Sequence, residues 1–187
     1  MPAKQVKRVW TREEVLALPD DGNRYELVDG ELVVSPTPRW LHQSAVVRLT
    51  MFVFAYVERH ALGRFAQSPA ELSLPSGHVL QPDLFVSGMI DGRVPREWKE
   101  AGIPLLVVEV LSPSNPDYDR KVKRSLYQKA GVPTFWVVDI DARAVEVWTP
   151  AAGAPIVETA RLSWQPNAAI APLEIDLVRF FSGLERA

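Results

Sequence analysis

Cysteine is missing from all 187 residues. That absence excludes a disulfide framework, thiolate metal ligation and a thiol nucleophile, and it fits a reducing cytoplasm. Histidine is scarce: His42, His60 and His78 are scattered without ligand spacing. All three are expected to be structural or superficial, with His42 placed near enough to the start of a long helix to face a site. Long apolar runs are lacking too. The greasiest uncharged stretch, 49–57, lies between Arg48 and Glu58, far short of the roughly 20 residues a membrane span needs. The opening Met-Pro-Ala-Lys-Gln-Val-Lys-Arg has no secretory apolar core, so a soluble, cytoplasmic protein is expected. Charge of one sign is also in short supply. At a net charge of −2 the chain offers nucleic acid no global attraction, and any such binding must rest on a local patch. Ser112 stands in no Gly-X-Ser-X-Gly elbow, which argues against a serine hydrolase.

What is present begins with enough apolar residues, 47%, to bury a continuous core in one domain spanning 1–187. Thr11-Arg12-Glu13-Glu14 forms a capping box with Trp10 and Val15 as its hydrophobic staple, predicting a short helix over 12–18 stopped by Pro19. The alternating stretches 25–28 and 31–34 flank Asp29-Gly30, a two-residue hairpin signal. In that register Tyr25 and Leu27 share a face with Leu32 and Val34, leaving Glu26 on the other, exposed face. Helical spacing of Leu41, Ala45, Leu49, Phe52, Val53 and Tyr56 predicts a long helix over 39–60. Its second half is apolar nearly all round, so it is either covered on both sides or lies at a homodimer contact. Strands are expected at 63–66, 70–74, 79–86, 105–111, 134–139, 144–149, 155–160 and 171–175, with a terminal helix capped by Asp176. The order implies an α+β fold: a central mixed sheet flanked by helices, with an N-terminal hairpin.

The stretch 103–131 organises the chemistry. Leu105-Leu106-Val107-Val108 is apolar on both faces, and then Glu109 appears. A strand greasy on both sides is covered on both sides, so a charge inside it demands compensation. After the turn that follows Ser112, residues 117–130 read as a helix ended by Gly131, with Asp119, Lys123 and Tyr127 at i, i+4 and i+8 on one face. Lys123 is the ammonium best placed to approach Glu109, Asp119 can hold it, and Tyr127 is expected to pack. A second carboxylate, Asp83, interrupts the apolar run 79–86, and Pro82 before it implies a bulge or strand edge. If those strands are neighbours, Asp83 and Glu109 share one site, and two hard oxygen donors held close invite Mg²⁺ or Mn²⁺. Such a set suits metal-assisted phosphodiester hydrolysis, the lysine helping to orient or deprotonate water.

These residues carry a resemblance. Pro82-Asp83 followed by Glu109-Val110-Leu111 is similar to the Pro-Asp and (Asp/Glu)-X-Lys signature of the PD-(D/E)XK nuclease superfamily. Together with Tyr25-Glu26-Leu27-Val28-Asp29-Gly30-Glu31 and the Asp119/Lys123/Tyr127 helix, the chain from about Thr11 to Thr149 resembles the bacterial Uma family of restriction endonucleases. The resemblance implies a restriction-endonuclease-like fold, a DNA substrate and Mg²⁺ (or Mn²⁺) as cofactor. It further implies Asp83 and Glu109 as metal ligands, the Val110 carbonyl as a further ligand, and Glu26 as an accessory acid. Leu111 occupies the signature lysine position, so Lys123 would be a migrated lysine.

Basic residues Arg120, Lys121, Arg124 and Lys129, with Arg93, Arg96 and Trp98, form the expected phosphate-contacting patch. The missing signature lysine leaves a second reading open: a catalytically reduced protein that binds nucleic acid or a protein partner without cleaving.

Overall fold

A computed structural model describes residues 8–35, 39–112 and 118–185. Asp117, where the helix after the central strand was expected to begin, lies outside the described residues, as does the side chain of Asp119. The first helix, α1 (Arg12–Leu16), starts with the expected capping box, Thr11 accepting from the Glu14 backbone and Glu14 from that of Thr11. It ends at Leu16, not Leu18. Trp10 and Val15 meet in one small cluster with Leu27 and Val79, as a hydrophobic staple requires.

Strands β1 (Arg24–Val28) and β2 (Glu31–Ser35) pair through Asp29-Gly30 in the expected register, Tyr25 opposite Val34 and Leu27 opposite Leu32. Both turn residues have positive φ, 49° and 77°, the backbone a two-residue hairpin with right-handed strand twist requires. The long helix α2 is Trp40–Arg59, followed by β3 (Gly63–Gln67) and β4 (Leu72–Ser73). The run expected as one strand over 79–86 is two: β5 (Val79–Leu80) and β6 (Leu84–Gly88). Pro82 has no N–H to continue a ladder, and the chain passes there from one sheet to another.

The central strand β7 (Pro104–Val110) is followed by a π-helical stretch, Tyr118–Lys123, and α3 (Arg124–Ala130), closed by Gly131 at φ 80°. Then come β8 (Phe135–Asp139), β9 (Ala144–Trp148), β10 (Ile156–Glu158), β11 (Arg161–Trp164), β12 (Leu173–Asp176) and α4 (Leu177–Leu184). Strand β11 escaped the sequence reading because four residues carry too short an alternation. It pairs with β12 as a separate ribbon, and Asp176 caps α4 as expected.

The main sheet has six strands in the order β10-β9-β8-β7-β6-β3, parallel only between β7 and β8. A second sheet, β2-β1-β5-β4, is antiparallel. On one face of the main sheet α2, α4 and the ribbon bury Leu49, Val53, Leu106, Val108, Trp136, Leu162 and Phe180. On the other face α3 and the second sheet bury Phe85, Val107, Phe135, Tyr127, Leu72 and Leu80. The site lies where the second sheet meets the main one.

Helix α2 is not covered all round. It buries Ala45, Leu49, Val53 and Val57, while Trp40, Val47, Met51 and Phe54 remain exposed. Truncating its buried side is expected to destabilise the fold: Leu49→Ala should lower the unfolding free energy by about 2–5 kcal/mol. Urea titration followed by far-ultraviolet circular dichroism should show a lower midpoint with an unchanged slope.

Candidate active site

Strands β6 and β7 pair with Leu84 opposite Val108, so one further step brings Asp83 opposite Glu109. The two acids do converge. Both are buried, at 1% exposure each, and so are Glu26 at 0% and Lys123 at 2%. Lys123 Nζ lies 3.0 Å from Glu109 Oε1 and 3.0 Å from Glu26 Oε1. Tyr127, one turn further along, donates its hydroxyl to the same Glu109 oxygen at 2.8 Å. Tyr127 therefore does more than pack: the i+4 spacing directs two donors at one carboxylate.

Glu26 corrects the sequence reading. It was placed on an exposed hairpin face, yet it is fully buried, accepting from the Gln81 backbone N–H at 2.9 Å as well as from Lys123. The reason is topological. Strand β1 is inside its sheet, flanked by β2 and β5. Its Leu27 side packs on α1 and its opposite side closes over the main sheet, where Val28 joins the core. Glu26 Oε2 finds no hydrogen-bond partner among the described residues.

Arg24 is the principal residue the sequence reading missed. Two positions before Glu26, it shares that inward face by strand periodicity. Its Nη2 lies 2.6 Å from Asp83 Oδ1, and its Nη1 4.0 Å from Glu109 Oε2. The guanidinium thus stands between the two acids, where the sequence suggested a metal ion. Desolvation would lower its pKa, but the charges of Asp83 and Glu109 prevail and raise it. His42, in the first turn of α2, also reaches the cluster: Nε2 is 3.1 Å from Asp83 Oδ2. Its Nδ1 is buried without a partner among the described residues. His60 stacks on Tyr56, and His78 bonds Asp29 and Ser76, both remote from these acids.

Burial alone would push the Asp83 carboxyl up. The bond with His42, the Arg24 charge and the Val110 N–H at 2.8 Å outweigh it and hold the carboxyl well below the ordinary carboxylate range. A strand residue's N–H and C=O point to the same edge, so the Val110 carbonyl is directed toward Asp83 too. Among the described residues no group of three or more His, Cys, Asp or Glu is arranged to hold a metal.

Two hollows meet at His42. One, about 200 Å³, is lined by Asn23, Arg24, Gln43, Ser68, Gln81 and Asp83. The other, about 740 Å³, runs past Arg39, Trp40, Leu111, Ser112 and Arg120. Parts of the expected basic patch are already engaged. Arg120 pairs with Asp139 and Glu146, Arg93 with Glu100, and Arg124 lies over the Trp148 ring.

A family model described as "Putative restriction endonuclease", Uma2, matches residues 12–177. The chain belongs to the Uma2 family. The match runs past Thr149, where the resemblance read from the motifs ended, and so takes in β11 and β12. A crystal structure described as a putative nuclease belonging to DUF820, from Anabaena variabilis, has the same fold, with a TM-score of 0.75. The two sequences are 22% identical, over 93% of this chain and 98% of that one. The α+β fold is thus restriction-endonuclease-like, a central mixed sheet flanked by helices. No protein of curated function matches the chain. No helix among the described residues is long and apolar enough to cross a membrane.

Position 111 departs from the superfamily signature in a way the Uma2 fold explains. Leu111 packs with Leu126, Tyr127 and Phe135 beneath α3, while the amine near Glu109 comes from Lys123.

Because the folded pKa of Asp83 is depressed, its stabilising contribution is present above the unfolded value, near 3.9, and is lost as pH falls through the folded one. The difference in unfolding free energy between wild type and Asp83→Asn should therefore be largest near neutrality and shrink below about pH 4. Denaturant titrations at a series of pH values measure it. A constant difference down to pH 2 would contradict this account.

Proposed function

We propose that the protein is a Mg²⁺-dependent (or Mn²⁺-dependent) endonuclease that hydrolyses DNA phosphodiester bonds, with all of 1–187 forming one cytoplasmic domain. The observation that carries this reading is the convergence of Asp83, Glu109, Lys123 and Glu26 from four separate segments into one buried cluster, with Asp83 lining a hollow of about 200 Å³. Buried acids gathered in a cleft with paired cations are characteristic of a catalytic site.

The donor set fits a hard divalent ion. Asp83 Oδ1 and Glu109 Oε2 already face a common cation, the Arg24 guanidinium, and Glu26 keeps a buried oxygen without a partner among the described residues. In this reading Asp83, Glu109 and the Val110 carbonyl hold the ion, all of them the oxygen ligands that Mg²⁺ prefers. When bound, the ion polarises the phosphate and acidifies a water. Lys123, held as an ammonium by Glu26 and Glu109, would orient that water. Glu26 and Glu109 fix the amine from two sides, so Glu26 acts as a positioning residue through Lys123. Trp40, 85% exposed, and Arg39 stand at the rim of the larger hollow, where an aromatic face and a cation suit a nucleotide and its phosphate.

Cleavage of supercoiled plasmid with Mg²⁺ tests the reading. Asp83→Ala and Glu109→Ala should each lose activity on the order of 100-fold or more, and Glu26→Gln about 10–100-fold, with the folded circular dichroism spectrum retained. Full activity in either Ala variant refutes it. A second reading, a binder without cleavage, is favoured by Lys123 and Arg24 both being engaged by carboxylates. DNA binding that survives chelator, with no cleavage under any divalent ion, would select it.

The exposed stripe of Trp40, Val47, Met51 and Phe54 supports a homodimer through α2. Sedimentation at micromolar concentration should give a dimer that Met51→Asp converts to monomer; a wild-type monomer ends this part of the proposal.

A further inference from the structure

We infer that Arg24 is a built-in counter-ion that holds the cation position of the resting site and must withdraw before a divalent ion can enter. The inference rests on the metal-site reading above and adds a step to it: ion entry displaces a guanidinium, which is then free for the substrate phosphate.

Charge accounting supports it. Leaving His42 aside, the described side chains of the cluster set Glu26, Asp83 and Glu109 against Lys123 and Arg24. A divalent ion added with Arg24 in place would bring two cations to the same point between Asp83 and Glu109 in a buried volume; with Arg24 withdrawn only one stands there. Isolated excess charge of either sign is costly where water is excluded.

The geometry decides which cation leaves. Lys123 is 2% exposed at its side chain and clamped between two carboxylates, whereas Arg24 is 16% exposed. Arg24 is also the first residue of β1, and its side chain lines the hollow of about 200 Å³ beside Asp83. The guanidinium therefore has somewhere to go. Its departure removes a cation from beside Asp83 Oδ1 and Glu109 Oε2. Asp83 Oδ2 keeps the Val110 N–H and His42, and Glu109 Oε1 keeps Lys123 and Tyr127. Two carboxylates held by these bonds would then face the point the guanidinium has left. The displaced guanidinium, a planar fork suited to phosphate oxygens, would lie in the adjoining hollow.

Mn²⁺ titration by calorimetry, without DNA, tests this independently of activity. Arg24→Gln should bind Mn²⁺ at least about tenfold more tightly than wild type, because the competing charge is gone. Arg24→Lys, which keeps the charge, should stay near wild type, and Glu109→Gln should abolish binding in both backgrounds. Equal or weaker binding by Arg24→Gln, with Glu109→Gln still abolishing it, overturns the counter-ion role and leaves the metal site standing. No Mn²⁺ binding by wild type or Arg24→Gln overturns both. If Arg24→Gln unfolds for want of a counter-ion, Mn²⁺ should refold it where NaCl of equal ionic strength does not. Failure of Mn²⁺ to refold it again overturns the role.

Discussion

Three carboxylates cannot be removed from water unless cations go with them, and that requirement shapes the centre of this molecule. Glu26, Asp83 and Glu109 are all at or below 1% exposure. Each meets a positive group or a fixed N–H: Glu26 the Lys123 amine and the Gln81 N–H, Asp83 the Arg24 guanidinium and the Val110 N–H, Glu109 the Lys123 amine and the Tyr127 hydroxyl. The partners come from β1, the β5–β6 crossing, β7 and the helix after it, so the electrostatic requirement ties together segments that hydrophobic packing alone would leave free to slide. Removing one partner of such a group leaves a buried charge uncompensated, a loss of several kcal/mol. The polar cluster thus fixes the angle at which the second sheet closes on the first.

Pro82 makes that closure possible. A continuous strand over 79–86 would belong to one sheet and keep Asp83 in its ladder. By withholding an N–H, Pro82 lets Val79-Leu80 pair with β1 while Leu84-Gly88 pairs with β7. Asp83, at the crossing, takes the Ser68 N–H at its backbone carbonyl, and its side chain accepts from Val110, His42 and Arg24 together. A proline that looks like a defect in a strand is the hinge on which two sheets share one site.

Much of this was legible along the chain, and what was not has a common cause. Local chemistry announced itself: the capping box at Thr11, the Asp29-Gly30 turn with its register, and the helical spacing of α2, although Leu41 and Phe52 on that spacing are exposed. That Asp83 and Glu109 meet was legible only on the condition that their strands are neighbours, which the β6–β7 pairing supplies. Family membership, too, lay in the motifs around those acids. Periodicity, however, tells which residues share a face and not which face is covered. Glu26 was therefore assigned to solvent, although the partner that buries it comes from far along the chain. Arg24 was invisible for the same reason: an arginine opening a strand is ordinarily solvated, and nothing nearby in sequence reveals that Asp83, 59 residues away, awaits it. The split of 79–86 was hinted at by Pro82, but the second sheet that receives β5 is a long-range fact.

The apolar residue at position 111 bears on which segment supplies the cation beside Glu109. Leu111 is 8% exposed and belongs to the cluster formed by Leu126, Tyr127 and Phe135. Lys123 meets Glu109 from the helical side without disturbing that cluster, and the wide π-helical turn that ends at Lys123 sets the direction of approach. For the two carboxylates the segment that carries the ammonium is immaterial, since the Coulomb interaction depends on distance and dielectric. A strand signature read along the chain misses such an amine. Looking for the cations that buried acids require finds it, because Glu26 and Glu109 both pair with Lys123.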